Sequence, residues 1–340
     1  MSKNISPQPH SLNTAVLFMI FNRPDTTSQV FETIRLARPP RLYVAADGPR
    51  NDRPGEEEKV RETRNYVIDN IDWECEVHTL FRNNNLGCKY AVSSAIAWFF
   101  EHEDMGIILE DDCLPSQSFF WFCEDLLNKY VDDERVGLIS GRNNLSKHPG
   151  STNVSYYFSH GNTHNIWGWA TWRRVAERYD PNHSALLNDY ILYRYINDTL
   201  CNSYEAWYLA TLAAKSASGE IDTWDFQWIA LQFMNSQYSI IPRCNLVKNI
   251  GFHEYATHTV HGDDELSRVN KDEINFPLVH PPYIIGNRDL FFRQIDYRKP
   301  TYRDRINAAL RRVPLLRRLY RTAKKYLINS NNYQSSDQVK

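Results

Sequence analysis

The chain has 340 residues, 42% hydrophobic and 24% charged, with a formal net charge of −2. That is a globular balance, long enough for roughly two domains of ~150 residues or one large α/β domain with additions, and it points to no nucleic-acid partner. The six cysteines, at 75, 88, 113, 123, 201 and 244, form no CxxC and no framework spacing, which excludes a disulfide scaffold and reads as reduced thiols in a cytoplasmic protein. No charged-then-apolar leader opens the chain, and no apolar run approaches the ~18 residues of a spanning helix. Trp, Tyr and Phe make up 13% of the residues; such rings fill cores and also stack on the apolar faces of sugars.

Residues 1–13 are polar and aperiodic, a disordered lead-in. Ala15 to Phe21 is an apolar run of strand length, followed by Asn22-Arg23-Pro24-Asp25, in which Asp25 is placed to cap a helix reaching about Ala37. Arg41 to Ala46 predicts a second strand ending on Asp47-Gly48, a turn with a carboxylate at its head. Glu56 to Asn70 is a charged surface helix, Glu74 to Leu80 a half-buried or edge strand, Asn83 to Gly87 a loop, and Lys89 to Phe100 a helix. Met105 to Leu109 is again a buried strand, ending abruptly in Glu110, Asp111 and Asp112 before Pro115; Ser116 is placed to cap the next helix.

The βαβαβαβ pattern predicts parallel strands with right-handed crossovers. In such a sheet the carboxyl ends lie on one edge, so Arg23, Asp47 and the acidic triplet converge there. Three adjacent acids repel one another and are comfortable only beside solvent or a cation, so the triplet reads as a solvated turn or as a metal site. Neither a Gly-x-Gly-x-x-Gly fingerprint nor a Gly-Lys-Ser/Thr phosphate loop is present, which disfavours a nicotinamide dehydrogenase and a Walker-type nucleotidase.

The ordered set Phe-Asn22-Arg23-Pro, Asp47-Gly, Asn85-Leu-Gly87-x-Lys89 and Ile-Leu-Glu110-Asp111-Asp112 resembles the donor half of GT-A nucleotide-sugar glycosyltransferases, with the N-acetylglucosaminyltransferase I type as the nearest likeness. The resemblance covers about residues 14–125 and continues more thinly to about 260. It implies an α/β, Rossmann-like GT-A fold with a mostly parallel sheet flanked by helices, the donor half at 14–140 and the acceptor half at 141–297. It also implies an inverting transfer from a UDP-sugar to a glycan or lipid-linked acceptor, with Mn²⁺ or Mg²⁺ as cofactor. Asp112 would be the metal ligand, because hard cations prefer carboxylate and phosphate oxygens. Asp111 and Glu110 would meet the ribose or the donor sugar, Asp47 the uracil imide, Arg23 the base or phosphates, and Lys89 the diphosphate. Arg23 and Lys89 read equally well as solvated cations.

Beyond a short strand at Val136–Ser140, residues Gly141 to Thr163 form a long polar region, followed by Ile166-Trp-Gly-Trp-Ala-Thr-Trp172. Trp167, Gly168 and Trp169 correspond to a Gly-Trp segment that the family places between donor and acceptor; Trp at this density also suits a core. Helices are expected over Trp172–Tyr179, Leu186–Asn197 and Tyr204–Ser216. Asp225 stands where the family carries its catalytic base, ahead of a helix reaching about Asn235. Aromatic neighbours that desolvate it suit that role, although it could equally cap the helix, and Asp222 and Glu254 are the alternatives. His258 is the candidate further metal ligand, in competition with His253 and His261.

From Thr301 to Leu327 there are nine Lys/Arg and one Asp. Leu315, Leu316, Leu319, Tyr320, Ala323, Tyr326 and Leu327 recur at helical spacing there. Residues 301–328 thus read as a basic amphipathic helical tail, before a disordered 329–340. Such a helix meets an anionic membrane or docks on the acidic body. A peripheral position on the inner face of the cytoplasmic membrane goes with the first reading. A catalytically silent sugar-nucleotide or glycan-binding module and a nucleotidyltransferase are the competing functions. The second usually carries a Gly-rich basic loop for the triphosphate, which Phe21 to Asp25 does not supply.

Overall fold

The computed structural model describes residues 9–145, 153–160, 166–251 and 269–295. In chain order the first half runs β1 (Val16–Ile20), α1 (Pro24–Ala37), β2 (Arg41–Ala46), α2 (Glu56–Asp69), β3 (Glu76–Phe81), α3 (Gly87–His102), β4 (Met105–Glu110), β5 (Cys113–Pro115) and α4 (Ser118–Lys129). The second half adds β6 (Val136–Ser140), β7 (Tyr156–His160), β8 (Trp169–Trp172), α5 (Arg173–Ala176), α6 (Asp189–Leu200), α7 (Ser203–Ala217), α8 (Asp225–Met234), β9 (Tyr238–Pro242), β10 (Val247–Asn249) and α9 (Arg288–Gln294).

Eight strands form one sheet in the order β3-β2-β1-β4-β8-β6-β9-β7. The first four are mutually parallel, β8 runs against both β4 and β6, and β9 is parallel to β6 but antiparallel to β7. Six strands therefore share a direction, and helices flank them. The expected α/β architecture, a mostly parallel sheet flanked by helices, is present. Every residue of β1 is buried, as are Ile107 to Leu109 of β4, which is why these central strands read as unbroken apolar runs. The edge strand β3 is half exposed, in line with its alternating sequence.

Several local expectations are corrected. Asp25 does not cap α1: the helix starts on Pro24 in its first turn, and Asp25 sits one residue inside, where its charge favours the helix N-terminus. Ser116 does not cap α4 either. The carboxylate of Glu273, far along the chain, accepts from the backbone N–H of Gln117 at 3.1 Å and of Ser118 at 2.8 Å. The polar region after Gly141 contains β7, and the Trp segment forms β8 with only a four-residue helix behind it.

A second apolar cluster lies among α6, α7, α8 and α9, with Leu192, Ile196, Ala210, Phe233 and Phe291 buried and Tyr193 stacked on Trp207 at 4.2 Å. Among the described residues no helix is long and apolar enough to cross a membrane. The tail at 301–328 and the histidines 253, 258 and 261, with Glu254, lie outside the described residues.

Candidate active site

Because β1, β2 and β4 are parallel and adjacent, the loops that leave their carboxyl ends share one edge of the sheet. They enclose a cavity of about 270 Å³ lined by Arg23, Asp47, Glu110, Asp111 and Asp112, with Arg50, Arg82, Cys88 and Asp222 alongside. The sheet thus gathers five of the expected donor-side residues, separated by up to 89 positions in sequence.

The acidic corner is held together by one guanidinium. Arg23 pairs with Asp111 through Nη2 and donates to Asp112 Oδ2 through Nη1 at 3.0 Å. Phe21 N–H, at the end of β1, also donates to Asp111 Oδ2 at 3.3 Å. Burial and then the charges of Asp112 and Asp111 push the Glu110 carboxyl up to about 8. Asp111 is likewise raised, by burial first, with Arg23 opposing. Burial pulls the Arg23 guanidinium down, but the charges and hydrogen bonds of Asp111 and Asp112 more than reverse this and leave it above its ordinary value. The corner therefore contains more negative charge than one arginine neutralises.

Asp112 is turned toward a second element. Its carbonyl accepts from Ile250 N–H at 2.8 Å, and β10 pairs antiparallel with β5 immediately beyond. A Cβ on Gly251 would overlap the Asp112 carboxylate, so the glycine is what lets this backbone close over the acid. The donor set fits a hard divalent cation, since crowded carboxylates are relieved by positive charge and supply the oxygen ligands such ions prefer. Among the described residues no cluster of three or more metal-ligating side chains occurs.

Asp47 is buried at the end of β2, and its carboxylate is fully engaged. It accepts from Gly48 N at 2.9 Å, from Leu86 N at 3.0 Å and from Asn85 Nδ2 at 3.0 Å. Burial raises it and these backbone bonds oppose the rise. Asp47 thus both lines the cavity and organises the loop that leads into α3. Arg50, anchored on the buried Glu56 at the start of α2, and Arg82, which donates to Ser94 Oγ at 2.7 Å, bring two further cations to the rim. The sequence reading missed both; a basic residue just past each of β2 and β3 was the available signal.

Lys89 does not line the cavity. It is buried, and its Nζ donates to Asn182 Oδ1 at 2.9 Å and to the Ala217 carbonyl at 3.0 Å. Its charge therefore ties α3 to the helical cluster and does not face a diphosphate. Asp222, read as a fallback base, is a helix cap: its carboxylate accepts from Cys88 N at 2.9 Å and Lys89 N at 2.8 Å. This satisfies two of the orphan donors at the start of α3.

Asp225 opens α8, where Oδ1 accepts from Thr223 Oγ1 at 2.6 Å and Phe226 N at 2.9 Å. Its charge acts on Glu110 and on Cys88, whose thiol is raised mainly by burial. Asp225 itself does not line the cavity, whereas Asp222, three positions earlier, does. Trp169 is a different matter. It is 1% exposed in β8, stacked on Trp224 at 5.6 Å and edge-on to Trp228 at 4.8 Å. A ring enclosed in this way offers no face to an acceptor, and the core reading of that residue holds. Gly168, at φ +64°, faces the side chains of Val247 and Leu109, so the glycine serves packing under β10. Trp167 is half-buried with the Arg142 guanidinium over its ring at 5.0 Å.

No family model matches the chain, and no curated protein matches it. Solved structures similar to it include an active-site mutant of LgtC, 11% identical, covering 86% of this chain and 99% of that one at a TM-score of 0.34. The glycosyltransferase GlyE from Streptococcus pneumoniae is 13% identical over 67% of this chain and 45% of its own, at a TM-score of 0.31. UDP-glucose pyrophosphorylase complexed with UDP-glucose is 11% identical over 49% and 79%, at 0.29. Likeness this loose carries no argument about this chain; its cavity has to speak for itself.

Proposed function

We propose that the chain is a GT-A glycosyltransferase that moves a sugar from a UDP-sugar to a glycan or lipid-linked hydroxyl with inversion, using Mn²⁺ or Mg²⁺. The observation that carries the reading is the convergence of Arg23, Asp47 and Glu110 to Asp112 on one cavity at the carboxyl ends of three parallel strands. A nucleoside diphosphate presents a flat base, a ribose and two phosphates, and this cavity offers an apolar wall, buried carboxylates and three arginines. Asp112 would hold the cation, with His258 as a further ligand, while Asp111 and Glu110 meet ribose or donor sugar. A bound divalent cation supplies charge stabilisation to a departing diphosphate. Asp225 would take the proton from the acceptor hydroxyl as that oxygen attacks the anomeric carbon.

The acceptor half of the site is built from residues 141–297, and the basic stretch at 301–328 would hold the protein on the inner face of the cytoplasmic membrane, near a lipid-linked acceptor. A second reading, a silent sugar-nucleotide-binding module, draws support from Asp225 Oδ1 already accepting two hydrogen bonds as a helix-capping group would. Hydrolysis of a panel of UDP-sugars with Mn²⁺ tests the proposal, since slow hydrolysis needs no acceptor. Tight UDP binding with no hydrolysis of any donor selects the silent module, and no UDP binding at all defeats both.

A further inference from the structure

We propose that the loop between Val279 and Ile285 inserts into an anionic lipid bilayer. This deepens the membrane-facing part of the function proposed above. Both ends of the loop are held by hydrogen bonds. At its base Val279 N–H donates to Ser155 Oγ at 2.9 Å and Ser155 N–H to the Val279 carbonyl at 2.8 Å. At its far end Gly286 bridges to Phe158 of the edge strand β7, and Asn287 N–H donates to the Phe158 carbonyl at 2.9 Å. Pro281 and Pro282 restrict the backbone in between, and Ile284 packs inward on the main core.

With its ends pinned and its inner side anchored, the loop still turns apolar side chains outward. Tyr283 is 72% exposed and Ile285 66%, with Val279 beside them at 47%. An aromatic ring with a polar tip next to a branched aliphatic is the residue pair that the membrane–water interface favours.

The charge around and beyond the loop sets the occupant. Beside the apolar tip, Arg288 is exposed, and the neighbouring exposed Asp289 is paired with Arg293 at 3.0 Å. The described residues end at Ile295, three residues before Arg298, a reach of no more than ~10 Å of chain. From 296 to 327 the sequence carries eleven Lys/Arg against two Asp. In sequence, a polybasic stretch therefore begins one short helix after the exposed apolar loop. Stable peripheral attachment takes two such signals, shallow apolar insertion and attraction to anionic headgroups, because either alone is marginal.

The full chain is tested by co-sedimentation with vesicles of phosphatidylcholine mixed with phosphatidylglycerol, at low and at high salt. Wild type should pellet at low salt and keep a salt-resistant fraction. Tyr283→Ser with Ile285→Ser should weaken partitioning by at least about tenfold and remove that fraction, with thermal unfolding and UDP-sugar hydrolysis unchanged because both side chains face solvent. Removing residues 301–340 should instead abolish the preference for anionic over pure phosphatidylcholine vesicles. The proposal is overturned if the double variant partitions as wild type does, or if it alters the oligomeric state while lipid binding is untouched, which would make the loop a self-contact. Absence of UDP-sugar hydrolysis in wild type would count against the glycosyltransferase alone and leave the vesicle result standing.

Discussion

Replacing Asp112 by asparagine separates the cost of a missing charge from the benefit of relieved crowding. The carboxylate accepts from Arg23 Nη1 at 3.0 Å, and a hydrogen bond to a charged group is worth ~1.5–3 kcal/mol. The asparagine carbonyl can still accept that bond, so the loss is a fraction of it, about 1 kcal/mol. Against this stands Glu110, whose carboxyl is driven up to about 8 by burial and then by the charge of Asp112. Each unit of relief on that group returns ~1.4 kcal/mol. The two effects are of similar size, so thermal stability of the ligand-free protein should be nearly unchanged or slightly higher.

The pH dependence has a sign. A carboxyl held at about 8 keeps its proton in the folded state across a window, from its ordinary 4.5 upward, in which the unfolded chain has released it. Its contribution to stability therefore falls as pH rises through that window, and Asp112→Asn should flatten the fall. Affinity for UDP in the presence of Mn²⁺ should meanwhile drop by about 10²-fold or more, since even outer-shell partners of a metal are worth 10–100-fold. Calorimetric titration of UDP with and without Mn²⁺ measures this directly. Equal Mn²⁺-dependent affinity in the variant would remove Asp112 as a ligand.

Substitutions at three further residues divide the remaining roles. Asp225→Asn keeps shape and hydrogen bonding but cannot accept a proton, so donor affinity should persist while turnover falls by roughly 10²–10⁴-fold; near-normal transfer would move the base elsewhere. Asp222→Ala should cost about 1 kcal/mol in chemical denaturation through loss of the cap on α3, and Asp222→Asn should retain turnover, a large drop marking it as the base after all. His160 is held below its ordinary value by burial and then by Arg288, so the unfolded state takes up its proton first and stability is lost as pH falls below about 6.5. Denaturation of His160→Gln between neutral and mildly acid pH should show a shallower loss than wild type; an unchanged slope would mean that His160 is not responsible.

The donor-side strands were legible because a parallel strand buried on both faces has to be written in apolar residues, as Val16 to Ile20 and Ile107 to Leu109 are. A carboxylate directly after such a run then announces the sheet edge. The second half lacks that grammar. Tyr156 to His160 is a strand written in aromatics and polar residues inside a polar region, and Trp169 to Trp172 is a strand whose residues would suit almost any core. Lys89 was misread for a physical reason. Its sequence neighbours are those of a loop leading to a helix, but its partners Asn182 and Ala217 are 93 and 128 residues away. Asp222 is similar: nothing within a local window shows that it will cap a helix 133 residues earlier.

The composition of the cavity wall adds an argument that no single residue supplies. Part of the lining is charged, with Arg23 paired to Asp111 and Asp112 and Glu110 beside them in sequence. The lining also has an apolar part, with Ala91, Val92 and Ala95 of α3 and Met19 and Ala45 of β1 and β2. On a helix, positions 91 and 95 lie one above the other, so alanine at both leaves a flat strip. Such a lining suits a ligand that is planar and apolar at one end and rich in hydroxyl and phosphate oxygens at the other, with a cation between those oxygens and Asp112. The capped loop at Asp47, the latch at Asp222 and the glycine at 251 then have a common consequence. Each fixes backbone around the cavity, so that the acids can be held together before any ligand arrives.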